Sequence, residues 1–214
     1  MNGSAEAARG VYSPASPGRR LRPARSEGDA VSYIPERPAE DSEPDIFAAI
    51  KDGFGFVPNF FRAQKLRLDI VEAEVGLVDA ILMRDGALTR TQKEYIFLVC
   101  SASDLSTYCV TAHCEMVRML RIEGPEPERI AVDYLHTDID MSDKALLTFA
   151  LKLTREPKKI EARDVETLRT YGFSDQQIVE AVAMVGLAKF STFVSFGLGT
   201  VPDFDSSRVL QALG

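Results

Sequence analysis

EYIFLVCSASDLSTYCVTAH, residues 94–113, is the stretch on which the reading of the whole chain turns. It sets Cys109 and His113 four residues apart and puts a carboxylate, Glu94, fifteen positions before the cysteine. The chain has only two histidines and three cysteines, so one of each at helical spacing is informative. On a helix that begins after Leu105, side chains at i and i+4 share a face. His113 is then expected to exchange a proton with the Cys109 sulfur, directly or through one water. The preceding segment, TRTQKEYIFLVCSAS, also has a helical pattern, and the SASDLS break lets the two helices fold back as neighbours. Glu94 is thereby expected near the same point. A thiol, an imidazole and a carboxylate that converge imply proton-relay chemistry on sulfur.

Ser106 and Thr107 strengthen the reading of Cys109. Either can cap the helix that carries the thiol, which places Cys109 in the first turn. Unpaired backbone N–H groups and the helix dipole favour an anion there, and such positions lower a cysteine pKa from about 8.5. The expectation is a thiol more acidic than Cys100 or Cys114.

Glu94, eleven residues, Ser106-Thr107-Tyr108-Cys109, three residues and His113 resemble the core of the alkyl hydroperoxidase D and carboxymuconolactone decarboxylase superfamily. In its thiol peroxidases the pattern is Glu, eleven residues, Cys-x-x-Cys, three residues, His. Glu94, Cys109 and His113 match the Glu, the second Cys and the His, while Ser106 stands where the first Cys would be. GFGFVPNFFRAQ, residues 53–64, is similar to the opening segment of the peroxidase-related subgroup. The resemblance covers about residues 44–203 and implies an all-α alkyl hydroperoxidase D-like bundle, a closed homo-oligomer, and a site at Cys109, His113, Glu94 and Ser106.

Composition narrows the field independently. With 214 residues and 45% hydrophobic content the chain can bury a sizeable core. A net charge of −7 and a pI near 5.0 argue against a nucleic-acid partner, which calls for a basic face. Three cysteines without paired spacing make no disulfide framework and fit a reducing, cytoplasmic setting. Tryptophan is absent.

Residues 1–30 are rich in Gly, Ser, Pro, Ala and Arg and read as a disordered tail; they lack the apolar core of a secretory signal. Residues 31–214 read as one all-helical domain. Ile46, Phe47 and Ile50 recur at helical spacing before Gly53 and Gly55, and Val57-Pro58-Asn59 opens a short aromatic helix. Residues 68–84 carry an apolar stripe of Ile70, Val71, Val75, Val78, Ile81 and Leu82. A capping box at Thr89-Arg-Thr-Gln92 opens the Glu94 helix, and the Cys109 helix runs to about Ile122. Helices follow at about 126–135, 142–155 and 162–171, and Ser174-Asp-Gln-Gln177 caps a long one reaching Gly197. No alternating strand pattern occurs.

Residues 181–201 contain one charge, Lys189, and match the length of a membrane span. Lys189 at the centre, costing about 2.5–3.5 kcal/mol, and the cluster Ser191, Thr192, Ser195 favour a bundle core or subunit contact instead. Phe193 and Phe196 are candidates for that contact, with Lys189 paired to a carboxylate or carbonyl. Zinc is disfavoured, because Cys114 lies about 140° around the helix from Cys109. Cys100 and Cys114 read as packing cysteines first and resolving cysteines second. Tyr108 either orients substrate or packs, and His136, in an acidic loop, receives no role.

The resemblance implies a thiol peroxidase and antioxidant enzyme without a cofactor or metal. Glu94 and His113 help to deprotonate Cys109, which attacks a small hydroperoxide to give a sulfenic acid. Ser106 cannot close a disulfide, so an external thiol reductant is required, or Cys100 or Cys114 after rearrangement. Two alternatives stand beside it: a carboxymuconolactone decarboxylase-like proton-transfer enzyme that needs His113 and Glu94 alone, and a non-catalytic oligomeric redox-sensing or binding protein.

Overall fold

The computed structural model describes residues 30–35 and 45–214, and the described residues hold ten α-helices and no strand. The all-α expectation is met. The expected disordered tail, residues 1–30, lies outside the described residues but for Ala30.

Helix α1, Asp45–Phe54, turns Ile46, Phe47 and Ile50 inward and stops where Gly55 takes a φ of +83°. Pro58 then fixes the backbone before the single turn of α2, Asn59–Arg62, which buries Phe60 and Phe61. Asn59 ties this turn to the far end of the chain. Its N–H donates to Asp203 Oδ1 at 2.9 Å and its amide to the Val201 carbonyl at 3.0 Å. Helix α3, Leu68–Val78, buries Val71 and Val75 and widens into a π-helical turn, Asp79–Met83, where Leu82 is buried. Ile70, expected in the apolar stripe, faces solvent.

Helix α4, Arg90–Ser103, is the axis of the molecule. Thr89 and Gln92 form both halves of the expected capping box. Every residue from 93 to 102 is buried, because α4 is surrounded by α5 (Thr107–Met119), α6 (Pro127–Asp133), α7 (Met141–Arg155) and, after α8 (Ala162–Thr170), by α9 (Asp175–Leu198). A helix packed on all sides needs partners for its polar side chains. Lys93 finds them: its ammonium donates to the Arg84 carbonyl at 2.9 Å and pairs with Glu180 Oε1 at 2.6 Å. The other Glu180 oxygen accepts the N–H groups of Ala87 and Leu88 at 2.6 and 2.9 Å, fastening the loop before α4 to α9.

Between α4 and α5 the chain reverses through Leu105, at a φ of +58°. Ser106, rather than Thr107, caps α5, and α5 ends at Met119, earlier than Ile122, where Arg121 takes a φ of +52°. The Ser174–Gln177 capping box opens α9, which Gly199 closes at a φ of +61°. Only glycine fits there: a Cβ would lie 2.3 Å from the Tyr33 ring. Tyr33 N–H donates to the Leu198 carbonyl at 2.8 Å and Val201 N–H to the Val31 carbonyl at 2.9 Å, so residues 31–33 are seated at the end of α9. A last helix, α10 (Ser207–Leu213), buries Val209 and was not anticipated from the sequence.

By length and composition α9 could cross a membrane. It nevertheless lays Ala181, Met184, Val185 and Ala188 into the core, and Lys189 Nζ donates to Asp104 at 2.6 Å. Its opposite side leaves Val179, Phe193 and Phe196 exposed, Phe193 at 66%.

Candidate functional site

The first turn of α4 and the second of α5 meet in a chain of charges. Glu94, with no exposed surface, is gripped at both oxygens: Oε2 lies 2.6 Å from His113 Nδ1, and Oε1 accepts Arg90 Nε at 2.7 Å. Arg90 and Glu94 are four residues apart on one helix face, which makes this pairing a consequence of α-helical geometry. The His113 ring stacks on Phe97 at 3.6 Å between centroids, with 19° between planes. Burial by itself pushes the Glu94 pKa up. The charge and hydrogen bond of His113, then those of Arg90, outweigh it and hold the carboxyl below its ordinary value. The buried Glu94 is therefore an anion.

Cys109 sits at the third position of α5, and its N–H donates to the capping Ser106 Oγ at 3.4 Å. Cys109 is 3% exposed, and its sulfur faces hydroxyls: Ser195 Oγ at 3.6 Å and Thr192 Oγ1 at 3.9 Å, both from α9. Ser101, whose buried hydroxyl holds no partner in hydrogen-bond geometry, is left to turn toward the sulfur. One sequence expectation, a thiol pKa lowered by the helix start, fails here, and the direct form of another, a Cys109–His113 hydrogen bond, is not formed. Among the described residues His113 is not a hydrogen-bond partner of Cys109, because Glu94 takes the Nδ1 side of its ring. Nor is the thiol acidic. Burial raises its pKa, and the Ser106, Ser195, Thr192 and Ser101 hydroxyls, which favour the thiolate, offset only part of that. At this depth desolvation outweighs the pull of the helix start.

The sulfur and the charge chain thus occupy successive turns of α5, with Glu94 and His113 joined and Cys109 enclosed separately in a ring of hydroxyls. Apart from Ser106, the ring was not recognised in the sequence as belonging to the thiol. Its signal was the run of small polar residues, Ser191, Thr192 and Ser195, within an otherwise apolar helix.

Tyr108 packs rather than projects. Its hydroxyl donates to Asp203 Oδ2 at 2.7 Å and accepts the Phe60 N–H at 3.1 Å, and its ring stacks on Phe60. Burial, then the nearby Asp203 charge, drive its pKa well above the ordinary tyrosine value. Cys100 and Cys114 are buried and free, both pushed up to about 12 by burial; the Thr154 hydroxyl on Cys100, at 3.1 Å, opposes this weakly, and Glu128 beside Cys114 adds to it. His136 pairs with Asp133 on the surface. No group of three His, Cys, Asp or Glu side chains among the described residues is placed to hold a metal ion.

No family model and no curated protein matches the sequence. Among solved structures the fold is similar to an alkylhydroperoxidase AhpD core, an uncharacterized peroxidase-related protein from Ralstonia eutropha JMP134. The TM-score is 0.76 at 29% identity, over 84% of this chain and 96% of that one. An uncharacterized peroxidase-related protein from Silicibacter sp. TM1040 gives 0.75 at 25% identity, covering 83% and 94%. The debrominase Bmp8 shares the fold alone, at a TM-score of 0.65 and 17% identity over 78% of this chain and 89% of its own. Agreement with these two peroxidase-related proteins over most of the chain, on a helical core reached independently from the sequence, gives this chain an alkyl hydroperoxidase D-like fold and is consistent with that superfamily.

Proposed function

We propose that this protein reduces small hydroperoxides by thiol chemistry at Cys109, with the Glu94–His113 pair managing protons. The observation that carries the reading is the 2.6 Å contact between Glu94 and His113, one helical turn beyond a cysteine ringed by hydroxyls. Glu94, kept anionic, fixes the imidazole through Nδ1 and leaves the other ring nitrogen for proton exchange. Because Cys109 is enclosed, attack requires local opening of the helices around it, and the proton travels to His113 through water or the substrate.

The Cys109 sulfur then attacks one peroxide oxygen: an S–O bond forms and the O–O bond breaks. The departing alkoxide takes the proton held by His113, giving an alcohol and a cysteine sulfenic acid. Ser101, Ser106, Thr192 and Ser195 are the donors for the negative charge that develops at sulfur and oxygen. Ser106 cannot form a disulfide, so an external dithiol completes the cycle. Its first thiol attacks the sulfenic sulfur and releases water; its second displaces Cys109 as a thiol and leaves the reductant oxidised.

A second reading has its own support. The Glu94–His113 pair is formed while the sulfur stands apart from it, which suits a carboxymuconolactone decarboxylase-like proton transfer that does not use Cys109. Fold alone does not choose between them. The test is mass spectrometry after limiting tert-butyl hydroperoxide with dimedone present, alongside dithiothreitol-dependent peroxide consumption. A dimedone adduct on Cys109, and turnover lost in Cys109→Ser, support the thiol reading. Dimedone-negative Cys109 with no peroxide consumption refutes it, and reversible oxidation without turnover leaves a redox sensor. The working setting is proposed to be the cytoplasm, as a homo-oligomer joined through the outward side of α9.

A further inference from the structure

The walls around Cys109 are fastened in different ways. Helix α4, which carries Ser101, is buried from residue 93 to 102 and is held by the whole core. The single turn of α2 has no side-chain cap of its own and is held from outside. Its two leading N–H groups, which a helix start leaves without intrahelical partners, donate to Asp203 Oδ1 at 2.9 Å and to the Tyr108 hydroxyl at 3.1 Å. That hydroxyl in turn donates to Asp203 Oδ2 at 2.7 Å. Asp203 is 5% exposed, and both its oxygens serve partners inside the protein.

The same residues bracket the sulfur. Tyr108 precedes Cys109 in the first turn of α5, and its ring stacks on Phe60 of α2. Asp203 follows α9 by a short run whose Thr200 N–H donates to the Ser195 carbonyl at 2.9 Å, while Ser195 Oγ faces the sulfur at 3.6 Å. The Asn59 amide holds this run through the Val201 carbonyl at 3.0 Å, and the half-buried rings of Phe56 and Phe204 meet edge-on at 5.8 Å. One buried carboxylate thus joins α2, α5 and the end of α9 beside the reactive atom.

We propose that Asp203 is a positioning residue that latches α2 and the end of α9 onto Tyr108, and that release of this latch is the local opening through which Cys109 is reached. A hydrogen bond to a carboxylate is among the stronger single joins in an interior. It is still one join, and without it Asp203 Oδ2 and the Phe60 N–H lose their partner, which makes lifting α2 easier. Closed, the latch keeps the sulfur against Ser195 and Thr192; open, it frees α2 and residues 200–204 from the first turn of α5. The inference rests on the thiol reading for the purpose of the opening and adds to it the place where the opening occurs.

The test is iodoacetamide labelling read per cysteine under native conditions in the full chain, on the parent, Tyr108→Phe, Asp203→Asn and the double variant. Tyr108→Phe keeps the ring on Phe60 and removes only the hydroxyl; Asp203→Asn keeps the shape and leaves one acceptor oxygen. Labelling of an enclosed thiol follows the population of the open form when reclosing is fast. Each variant should speed Cys109 roughly tenfold, the scale on which one such hydrogen bond shifts an equilibrium. Cys100 and Cys114 should keep the parent's rates, and the double variant should be no faster at Cys109 than Asp203→Asn alone. A folded Tyr108→Phe protein with Cys109 unchanged overturns the inference; if that variant does not fold, Asp203→Asn decides in the same way. Equal acceleration at all three cysteines also overturns it, as does a double variant whose two accelerations multiply. Dithiothreitol-dependent peroxide consumption by the parent is measured separately. Selective exposure of Cys109 in the variants without any consumption by the parent refutes the peroxidase reading and leaves the latch standing; consumption with unchanged labelling does the reverse.

Discussion

Replacing Glu74 by glutamine should stabilise the protein at alkaline pH and change it little in acid. Glu74, on α3, is 3% exposed; one oxygen accepts Gln64 Nε2 at 2.8 Å and the other has no partner. Burial pushes its pKa up to about 7, with the Gln64 hydrogen bond opposing. A folded-state pKa above the unfolded value means the proton is held more tightly in the native protein. The associated stability is complete below the unfolded value of 4.5 and is lost as pH rises through 7. That interval, at about 1.4 kcal/mol per pH unit, corresponds to about 3 kcal/mol. Glutamine has the shape of the protonated acid and never ionises. Glu74→Gln should therefore gain about 3 kcal/mol at pH 8.5 and under about 1 kcal/mol at pH 5. In a chain of this length the alkaline gain corresponds to a rise in Tm of about 6–12 °C. Urea unfolding of parent and variant at both pH values measures it. Asp203, also raised by burial, is present in both proteins, so the difference between them isolates Glu74. Stability curves that run parallel from pH 5 to 8.5 would refute the argument.

Iodoacetamide labelling read per cysteine across pH should find Cys109 slow near neutrality and accelerating above the ordinary thiol range, with Cys100 and Cys114 slower still; either of those outrunning Cys109 at pH 7 would mean the wrong thiol has been chosen. Ser106→Cys, at the cap three residues before Cys109, should let mild oxidation remove two thiols together and dithiothreitol restore both, whereas sulfenic acid accumulating as in the parent would rule out a lost partner position. Light scattering at low micromolar concentration should give a homo-oligomer that Phe193→Glu disperses; a monomeric parent removes the proposed interface, and an unaffected assembly removes Phe193 from it.

What the sequence conveyed well was local. Thr89 with Gln92 and Ser174 with Gln177 placed two helix starts to the residue, because a capping box is satisfied by groups three positions apart. Ser106 capped the Cys109 helix for the same reason. The nearness of Glu94 to His113 was also legible, since a short reversal between two helices makes them antiparallel neighbours. What failed depended on competition across the interior. Spacing put Cys109 and His113 on one face, but it could not say that a carboxylate from another helix would hold the ring, or that α9 would enclose the sulfur with Thr192 and Ser195. The thiol's acidity was misjudged because a helix start is visible in sequence and depth of burial is not. The π-helical turn at Asp79–Met83 and helix α10 left no distinct pattern, the latter having one buried apolar residue in seven.

The unbroken burial of residues 93–102 makes α4 a keyed shaft. Each residue along it turns about 100° and advances about 1.5 Å, so Glu94 and Ser101 are locked in azimuth as well as in depth, about 10 Å apart along the axis. One residue inserted between them would leave Glu94 on His113 and swing Ser101 a quarter-turn or more from the Cys109 sulfur, with no wet face to absorb the error. Length changes in this protein are thus confined to its loops, and the separation between the Arg90–Glu94–His113 chain and the sulfur's ring of hydroxyls is set by a count of residues that cannot drift.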